Sequence, residues 1–429
     1  MGRFVTQRWA PDPTAFGPRR ARVGGTYRAF VPHPLAGLVL PIDARVAADL
    51  SDAERAVAAL DAETRADRGP HRLEVLSRLL LRAEAVGSSQ VEGLVVSPRR
   101  LALADLDPAL DPSGRALEVV ANIRALSEAL VVASAPGPFT VDHLRALHRR
   151  LLDGTRDARL GGVVRTEQNW VGGTTPLDAE FVPPPAEEVP ALLEDLCAYA
   201  SGDEHPPLVQ AAVAHAQFET LHPFADGNGR TGRALLQLVL RRRGLCRRVV
   251  PPISLVLATE AARYVGGLTG TRRAYPSGAP ELVAGWMSWL ELVAQVTRRA
   301  CVEADRYEQR TAALVEAWRA RVRAEVGALR ADAAAWALLE QLPSAPLVTA
   351  STAVALTGRS PRAIDGALAQ LVAAGVLKHV GGRIRYRLYE AVGVFDLVTD
   401  AERALASPTG DTRQDEPVRP VPARPPRRR

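Results

Sequence analysis

The chain has 429 residues, 47% of them hydrophobic and 24% charged, and a formal net charge of +6. That is ordinary globular usage with room for two or three domains, which excludes a fibrous or wholly disordered class. No apolar run approaches the ~20 residues of a membrane helix, the start lacks a secretory signal's apolar segment, and Cys197, Cys246 and Cys301 form no CxxC pair, so a cytoplasmic chain with no membrane contact, disulfide framework or structural zinc is expected.

The apolar content leans on Ala, Leu and Val, which predicts a mainly α fold. Residues 1–50, rich in Pro, Gly and Arg, read as an extended N-terminal arm. A helical region follows over 51–135, with Ser51 as a candidate N-cap. In "HRLEVLSRLLLRAEAVGSSQVEG" the apolar positions Leu73, Val75, Leu76, Leu79, Leu80, Leu81, Ala83 and Val86 recur with helical period. Further helices are expected at about 113–134 and 141–152, the second capped by Thr140. "GGVVRTEQNWVGGTTPLDAEFVPPP" mixes glycines with β-branched residues and predicts a β-hairpin flap around Val163 to Phe181. Helices resume at about 186–201, 207–220 and 229–243, and 280–326 is long helical territory, one helix or two. The expected catalytic core is 136–300 and a helical linker spans 301–330. Residues 331–398 then give three helices and a two-stranded hairpin turning at Gly381-Gly382, the order of a winged helix-turn-helix. The Pro- and Arg-rich tail 399–429 is expected to be disordered and basic.

One stretch carries chemistry. "LHPFADGNGRTGRA", residues 221–234, joins two helical patterns, because Pro223 cannot continue the first. The loop delivers Gly227, Asn228 and Gly229 onto a helix N-terminus, where unpaired N–H groups and the dipole favour an anion. Arg230 and Arg233, three apart, can lean toward one ligand, and a guanidinium fork suits phosphate. Asp226 is the obvious Mg²⁺ ligand, since Mg²⁺ takes few carboxylates and shares phosphate oxygens. His222, with a reference pKa of ~6.5, suits a general base. Asp226 and Asn228 have EF-hand spacing, but no glutamate closes a twelve-residue loop, so calcium does not fit. His215, Glu219 and His222 could share a helix face around a transition metal; His215 reads better as a packed core histidine.

"HPFADGNGRTGR" resembles the Fic family signature, H-x-F-x-[D/E]-G-N-G-R-x-x-R, at every defined position. The resemblance implies a mainly helical Fic-type core and transfer of AMP from Mg-ATP to a Ser, Thr or Tyr hydroxyl of a protein target, the protein itself included. By it His222 is the base, Asp226 holds Mg²⁺ and Phe224 anchors the loop. Gly227, Asn228 and Gly229 cradle the α- and β-phosphates, Arg230 contacts phosphate, and Arg233 takes the γ-phosphate. "SSQVEG" resembles the family's inhibitory motif at Ser88, Glu92 and Gly93. A carboxylate competes well for a guanidinium, so Glu92 paired with Arg233 would displace the γ-phosphate, as in the family's self-inhibited class. The same glutamate can support removal of AMP. The flap resembles the hairpin that docks a target strand, with Trp170, Val171 and Gly172 either clamping the target or holding the hairpin down. Tyr264 lies near the nucleotide base or simply packs.

In 331–398, Arg359, Arg362, Arg383, Arg385 and Arg387 would contact DNA phosphates, yet the third helix offers only Asp365 and Gln370 as base readers. The alternatives are therefore a DNA-binding regulator with a nucleotide-sensing core, or transfer of another nucleotide; a homodimer is compatible with either.

Overall fold

The computed structural model describes residues 2–11, 22–66, 70–274, 279–380 and 387–406. The fold is mainly helical, as the composition predicts.

The first fifty residues differ from the expected arm. Strands β1 (Gly2–Trp9) and β2 (Gly25–Pro32) pair antiparallel, with Phe4 opposite Phe30 and Gln7 opposite Tyr27. Thr26 and Arg28 stay exposed while Tyr27 and Ala29 are buried, the period-two pattern of a half-buried strand. Helix α1 (Ala44–Ala66) begins before Ser51. Asp43 accepts the Val46 N–H at 2.9 Å, which is the interaction of an N-cap. Val46, Leu50, Ala53, Val57 and Leu60 continue one buried stripe straight past Ser51, so that serine is interior to the helix.

Helices α2 (Pro70–Val91), α3 (Pro98–Leu106), α4 (Arg115–Ser134) and α5 (Val141–Leu152) follow, with Thr140 at the N-cap of the last. Between α5 and α6 (Val189–Ser201) the flap turns back on itself as a minimal β-hairpin, closed by one antiparallel bridge between Val171 and Phe181. Pro183, Pro184 and Pro185 remove the donors a longer ladder would need. Phe30 N–H donates to Val182 O at 2.9 Å, so β2 leans on the flap's far end.

At the centre α7 (Pro207–Leu221) packs on α8 (Asn228–Arg242). Every residue from Leu208 to Leu221 is buried, the pattern of a helix surrounded on all sides. Then come α9 (Ile253–Leu257), α10 (Ala261–Thr271) and the 47-residue α11 (Pro280–Val326), which is one continuous helix. Its first half enters the main core, where Trp289 Nε1 donates to Ala212 O at 3.0 Å. Its second half gives Val315, Trp318 and Val322 to a separate core.

That second core belongs to α12 (Ala334–Gln341), β3 (Leu347–Val348), α13 (Ala350–Thr357), α14 (Pro361–Ala373), β4 (Leu377–Val380) and β5 (Leu388–Ala391), with sheet order β3-β5-β4. Ser360 caps α14 by accepting from Ala363 N–H, and Gly358 ends α13 at φ 64°. The turn at Gly381-Gly382, with Arg383 and Arg385, lies outside the described residues; Arg387 is exposed. A boundary at 399 is too early. Helix α15 (Val394–Ala406) runs through it, because Val394 and Leu405 are apolar positions that bury against the body. The remaining tail, 407–429, lies outside the described residues. Among the described residues no helix is long and apolar enough to cross a membrane.

Candidate active site

The 221–234 stretch joins two buried helices through a loop over 222–227. Helix α7 ends on His222, whose φ of 46° makes it the one described non-glycine residue with positive φ. Such a conformation costs free energy and persists where surrounding contacts fix it. Arg165 and Asn169, at the root of the flap, supply those contacts. Arg165 donates to His222 O at 3.0 Å, to Glu167 O at 3.0 Å and to Pro184 O at 2.5 Å. Its guanidinium is buried with carbonyls rather than a carboxylate for partners, and burial lowers its pKa to about 10. Asn169 Nδ2 donates to His222 O and to Phe224 O, both at 3.0 Å.

Phe224 is fully buried, as expected of a loop anchor. Asn228 braces the loop from within: its Oδ1 accepts from Phe224 N–H at 2.9 Å and its Nδ2 donates to Phe224 O at 2.8 Å. The Asn228 side chain is thus spent on the loop, and only its backbone remains for a ligand. Gly227 caps α8 in the left-handed region, and the first intrahelical bond is Thr231 N–H to Gly227 O at 3.0 Å. The N–H groups of Asn228, Gly229 and Arg230 precede that bond, and N–H groups at a helix N-terminus favour an anion.

The two arginines differ. Arg230 is buried; its Nη2 lies 3.5 Å from Asp226 Oδ2, and among the described residues its Nε and Nη1 have no hydrogen-bond partner. A buried guanidinium with free donors is built to receive an anion. Arg233, only 2% exposed, is occupied: Nε donates to Ser88 Oγ at 3.1 Å, and Nη2 donates to Ser88 O and to Glu92 Oε1, both at 2.8 Å. Burial is the largest single influence on its pKa and acts downward, but Glu92, Tyr264 and Glu219 together outweigh it and the net shift is upward. For Glu92 burial is the largest single influence and acts upward, but Arg233, Arg230 and His222 together outweigh it, so the carboxyl sits below its ordinary value.

Glu92 reaches that place through its helix end. Gly93 N–H donates to Gln90 O at 2.9 Å and Leu94 N–H to Ser89 O at 3.0 Å, a Schellman motif with Gly93 at φ 76°. "SSQVEG" is therefore both an ordinary glycine-terminated helix and the device that aims Glu92. The carboxylate rests on Gly229: a Cβ there would overlap Glu92 Oε1 and stand 2.9 Å from Arg233 Nη1. An anion already sits at the N-terminus of α8, and it belongs to the chain.

His222 is the candidate base. Burial first, then the Arg272 and Arg165 charges, lower its pKa to about 4, so it is neutral at physiological pH. Its Nδ1 is buried without a well-formed hydrogen bond. Asp226 is half-exposed at the loop's rim, 54% by side chain. Among the described residues no group of three His, Cys, Asp or Glu side chains could hold a metal; one rim carboxylate beside a phosphate cradle fits a Mg²⁺ bound mainly by phosphate oxygens. His215 Nε2 shares a hydrogen bond with Tyr264 OH at 2.9 Å, and both rings stack near the buried Trp289. Tyr264 is 4% exposed, as packing requires. Trp170 meets Trp9 edge-to-face at 5.5 Å, the contact of a staple between flap and N-terminal hairpin. Val171 forms the bridge and Gly172 turns the chain at φ 70°.

Sequence reasoning missed Arg165, Asn169, Arg272 and His148. Each is a lone residue far from the motif. The only signal was compositional, polar side chains in helices and loops otherwise destined for the interior.

The Fic/DOC family profile matches residues 138–240, and the profile of the Fic/DOC family N-terminal region matches 47–131. The chain therefore contains a Fic domain. Protein adenylyltransferase fic-1 of Caenorhabditis elegans is 36% identical over 126 residues, 29% of this chain and 23% of the relative. Protein adenylyltransferase Fic of Drosophila melanogaster is 33% identical over 116 residues, 26% of this chain and 22% of the relative. The chain spans less than a quarter of the length of these curated relatives. The crystal structure of a Fic family protein from Desulfovibrio desulfuricans G20 is 20% identical, with a TM-score of 0.48, over 84% of this chain and 99% of that one.

Proposed function

We propose that the protein is an adenylyltransferase that moves AMP from ATP to a hydroxyl of a protein target, itself included, and that Glu92 holds it in check. The observation that carries the reading is the Glu92 carboxylate seated on Gly229 and paired to Arg233; a phosphate drawn to the same arginine would have to displace it. The names of the partial relatives agree with it.

The chain's own residues divide the work. The α8 N–H groups and Arg230 hold the phosphates, and Arg233 takes the γ-phosphate when Glu92 withdraws. His222 accepts the target hydroxyl's proton as its oxygen bonds to the α-phosphorus. The bond from that phosphorus to the bridging oxygen breaks, and pyrophosphate leaves. Asp226 would hold Mg²⁺, which supplies charge neutralisation on the phosphates. The flap, anchored through Arg165 and Asn169 to His222, would fix the target's height above the base. Glu92 remains 45% exposed while paired, so a carboxylate open to water stands in the site, and removal of AMP is the reverse activity this supports.

We read 331–398 as a winged-helix-like module. Arg359, Arg362 and Asp365 are exposed around α14, a face with too few base-reading groups for sequence-specific binding. This favours a contact other than specific DNA, and a nucleotide-sensing regulator would not need base, acid and both arginines together.

Purified wild type, Glu92→Gly and His222→Ala are to be incubated with Mg²⁺ and labelled ATP, with mass spectrometry for added AMP. Glu92→Gly labels about tenfold faster than wild type, which corresponds to ~1.4 kcal/mol for freeing the Arg233 fork from its competing carboxylate. His222→Ala in either background abolishes labelling. Equal labelling by wild type and Glu92→Gly sinks the self-inhibition.

A further inference from the structure

His148, on α5, lies outside the motif, yet it is completely buried beneath the loop. Its ring stacks on Phe224 with centroids 3.7 Å apart and planes 6° apart. Both ring nitrogens are engaged. The Gly162 N–H points at Nδ1 at 2.9 Å, and an N–H can only donate. Nδ1 therefore carries the lone pair, Nε2 carries the proton, and the 2.9 Å contact from Nε2 to Asp226 O is a donated bond. The tautomer follows from its neighbours rather than from choice.

The two partners are not ordinary backbone. Gly162 opens the segment that becomes the flap, and it is held from its other side as well, since Arg145 Nε donates to Gly162 O at 2.9 Å. Asp226 is the loop's rim carboxylate. Its carbonyl is one bond from its Cα, so the donated bond from His148 fixes the backbone from which that side chain projects. Gly227 follows immediately and lies on the same ring: a Cβ there would stand 3.3 Å from His148 Nε2.

We infer that His148 is a positioning residue that sets the Asp226 carboxylate against the phosphate cradle and ties it to the root of the flap. The inference rests on the reading of Asp226 as the ligand of a nucleotide-bound divalent cation. A positioning role predicts loss of cation-dependent nucleotide binding alone, whereas general damage to the loop weakens nucleotide binding with or without the cation.

The test uses the full chain in the Glu92→Gly background, which leaves Arg233 open. Calorimetry measures binding of Mn²⁺–ATP and of ATP in excess EDTA to this parent and to its Asp226→Ala, His148→Phe and His148→Gln derivatives. Phenylalanine keeps the stack on Phe224 and removes both hydrogen bonds; glutamine returns an N–H donor near the place of Nε2. The expected result is about a tenfold weaker Mn²⁺–ATP affinity for His148→Phe, the scale of lost outer-shell support, with ATP in EDTA unchanged. His148→Gln recovers most of that loss, and the Gly162 amide exchanges faster in His148→Phe than in the parent. Equal weakening of both ligands by His148→Phe, or no weakening while Asp226→Ala is impaired, overturns the positioning role alone. No effect of Asp226→Ala on Mn²⁺–ATP overturns the cation reading and the inference with it. Should His148→Phe not fold, His148→Leu, which likewise removes both hydrogen bonds and keeps an apolar side chain beneath Phe224, decides by the same comparison.

Discussion

His222 shows how a base is tuned without a carboxylate partner. Burial comes first among the causes that lower its pKa, and the Arg272 charge comes next. Arg272 is held there by bonds from Nε to Thr220 Oγ1 at 3.2 Å and from Nη2 to Glu219 O at 3.1 Å, with its plane over Phe181. A histidine with a lowered pKa stays neutral as pH falls, until the folded value is reached. The acid limb of AMP transfer by Glu92→Gly is therefore expected near pH 4, well below the ordinary ~6.5. Removing a nearby cation favours the protonated ring, so Arg272→Gln moves that limb upward. A limb near 6.5 in both proteins refutes the tuning of His222 by burial and Arg272. The same residues mark what a sequence discloses. The motif from His222 to Arg233 was legible because its parts are contiguous and each has its own chemistry. Arg165 and Asn169 lie in the flap segment, but nothing marks them as the residues that hold His222, and nothing in the local sequence of His148 points to the motif.

Helix α2 is the element on which the proposed inhibition turns, and glycine is what lets it sit close. A Cβ on Gly87 would overlap the backbone of Leu255 in α9 and stand 2.7 Å from Ser254 C. Backbone cannot swing aside as a side chain can. The approach is locked by Glu84 one turn earlier, whose carboxylate accepts Ser254 N–H at 2.7 Å and Ser254 Oγ–H at 2.6 Å. On the α4 side, Asn122 Nδ2 donates to Ala85 O at 2.8 Å and to Ser89 Oγ at 3.1 Å. Gly87→Ala should tilt α2 and cost about 1–3 kcal/mol, the range for an overpacked core. Five residues further on, the tilt withdraws Glu92 from Arg233, so labelling rises toward the Glu92→Gly level. Denaturant melts and the labelling assay check the two parts; a destabilised protein with wild-type labelling separates the seat of α2 from the inhibition. Helices such as α2, α4 and α5 were legible from their periods. The start of α1 was not, because Asp43 and Ser51 are equally good cap residues and only the buried stripe through Val46 and Leu50 chooses between them. The flap's turn-back was legible in its β-branched residues and glycines, and its ladder stops at one bridge because the three prolines that follow Val182 have no N–H to give.

Across the whole molecule two cores share one spine. Helix α11, about 70 Å long at 1.5 Å per residue, enters the main core with its first half and the C-terminal core with its second. The C-terminal unit folds back from that spine onto α2 and α3. Arg99 of α3 meets Glu390 of β5 at 2.7 Å, Arg78 of α2 donates to Gln341 at 2.5 Å, and Arg299 donates to Leu405 O at 2.9 Å. The seam is loosely filled: a cavity of about 80 Å³ lies among Leu79, Val86, Leu101, Leu255, Tyr307 and Phe395. Helix α2 therefore has Arg233 on one side and the C-terminal unit behind it. Arg99→Ala is a clean probe of that backing, because Lys378 remains 2.8 Å from Glu390 and keeps the buried carboxylate paired. With separate cores joined by few polar contacts, calorimetry of the wild type should give overlapping transitions, and Arg99→Ala should draw them apart by lowering the temperature of the C-terminal one. If the unit braces α2, the same change raises AMP labelling without touching any residue of the site. Separated transitions with wild-type labelling make the C-terminal unit a neighbour of α2 rather than its support, and an unchanged melt shows that the spine, not the seam, holds the two cores together.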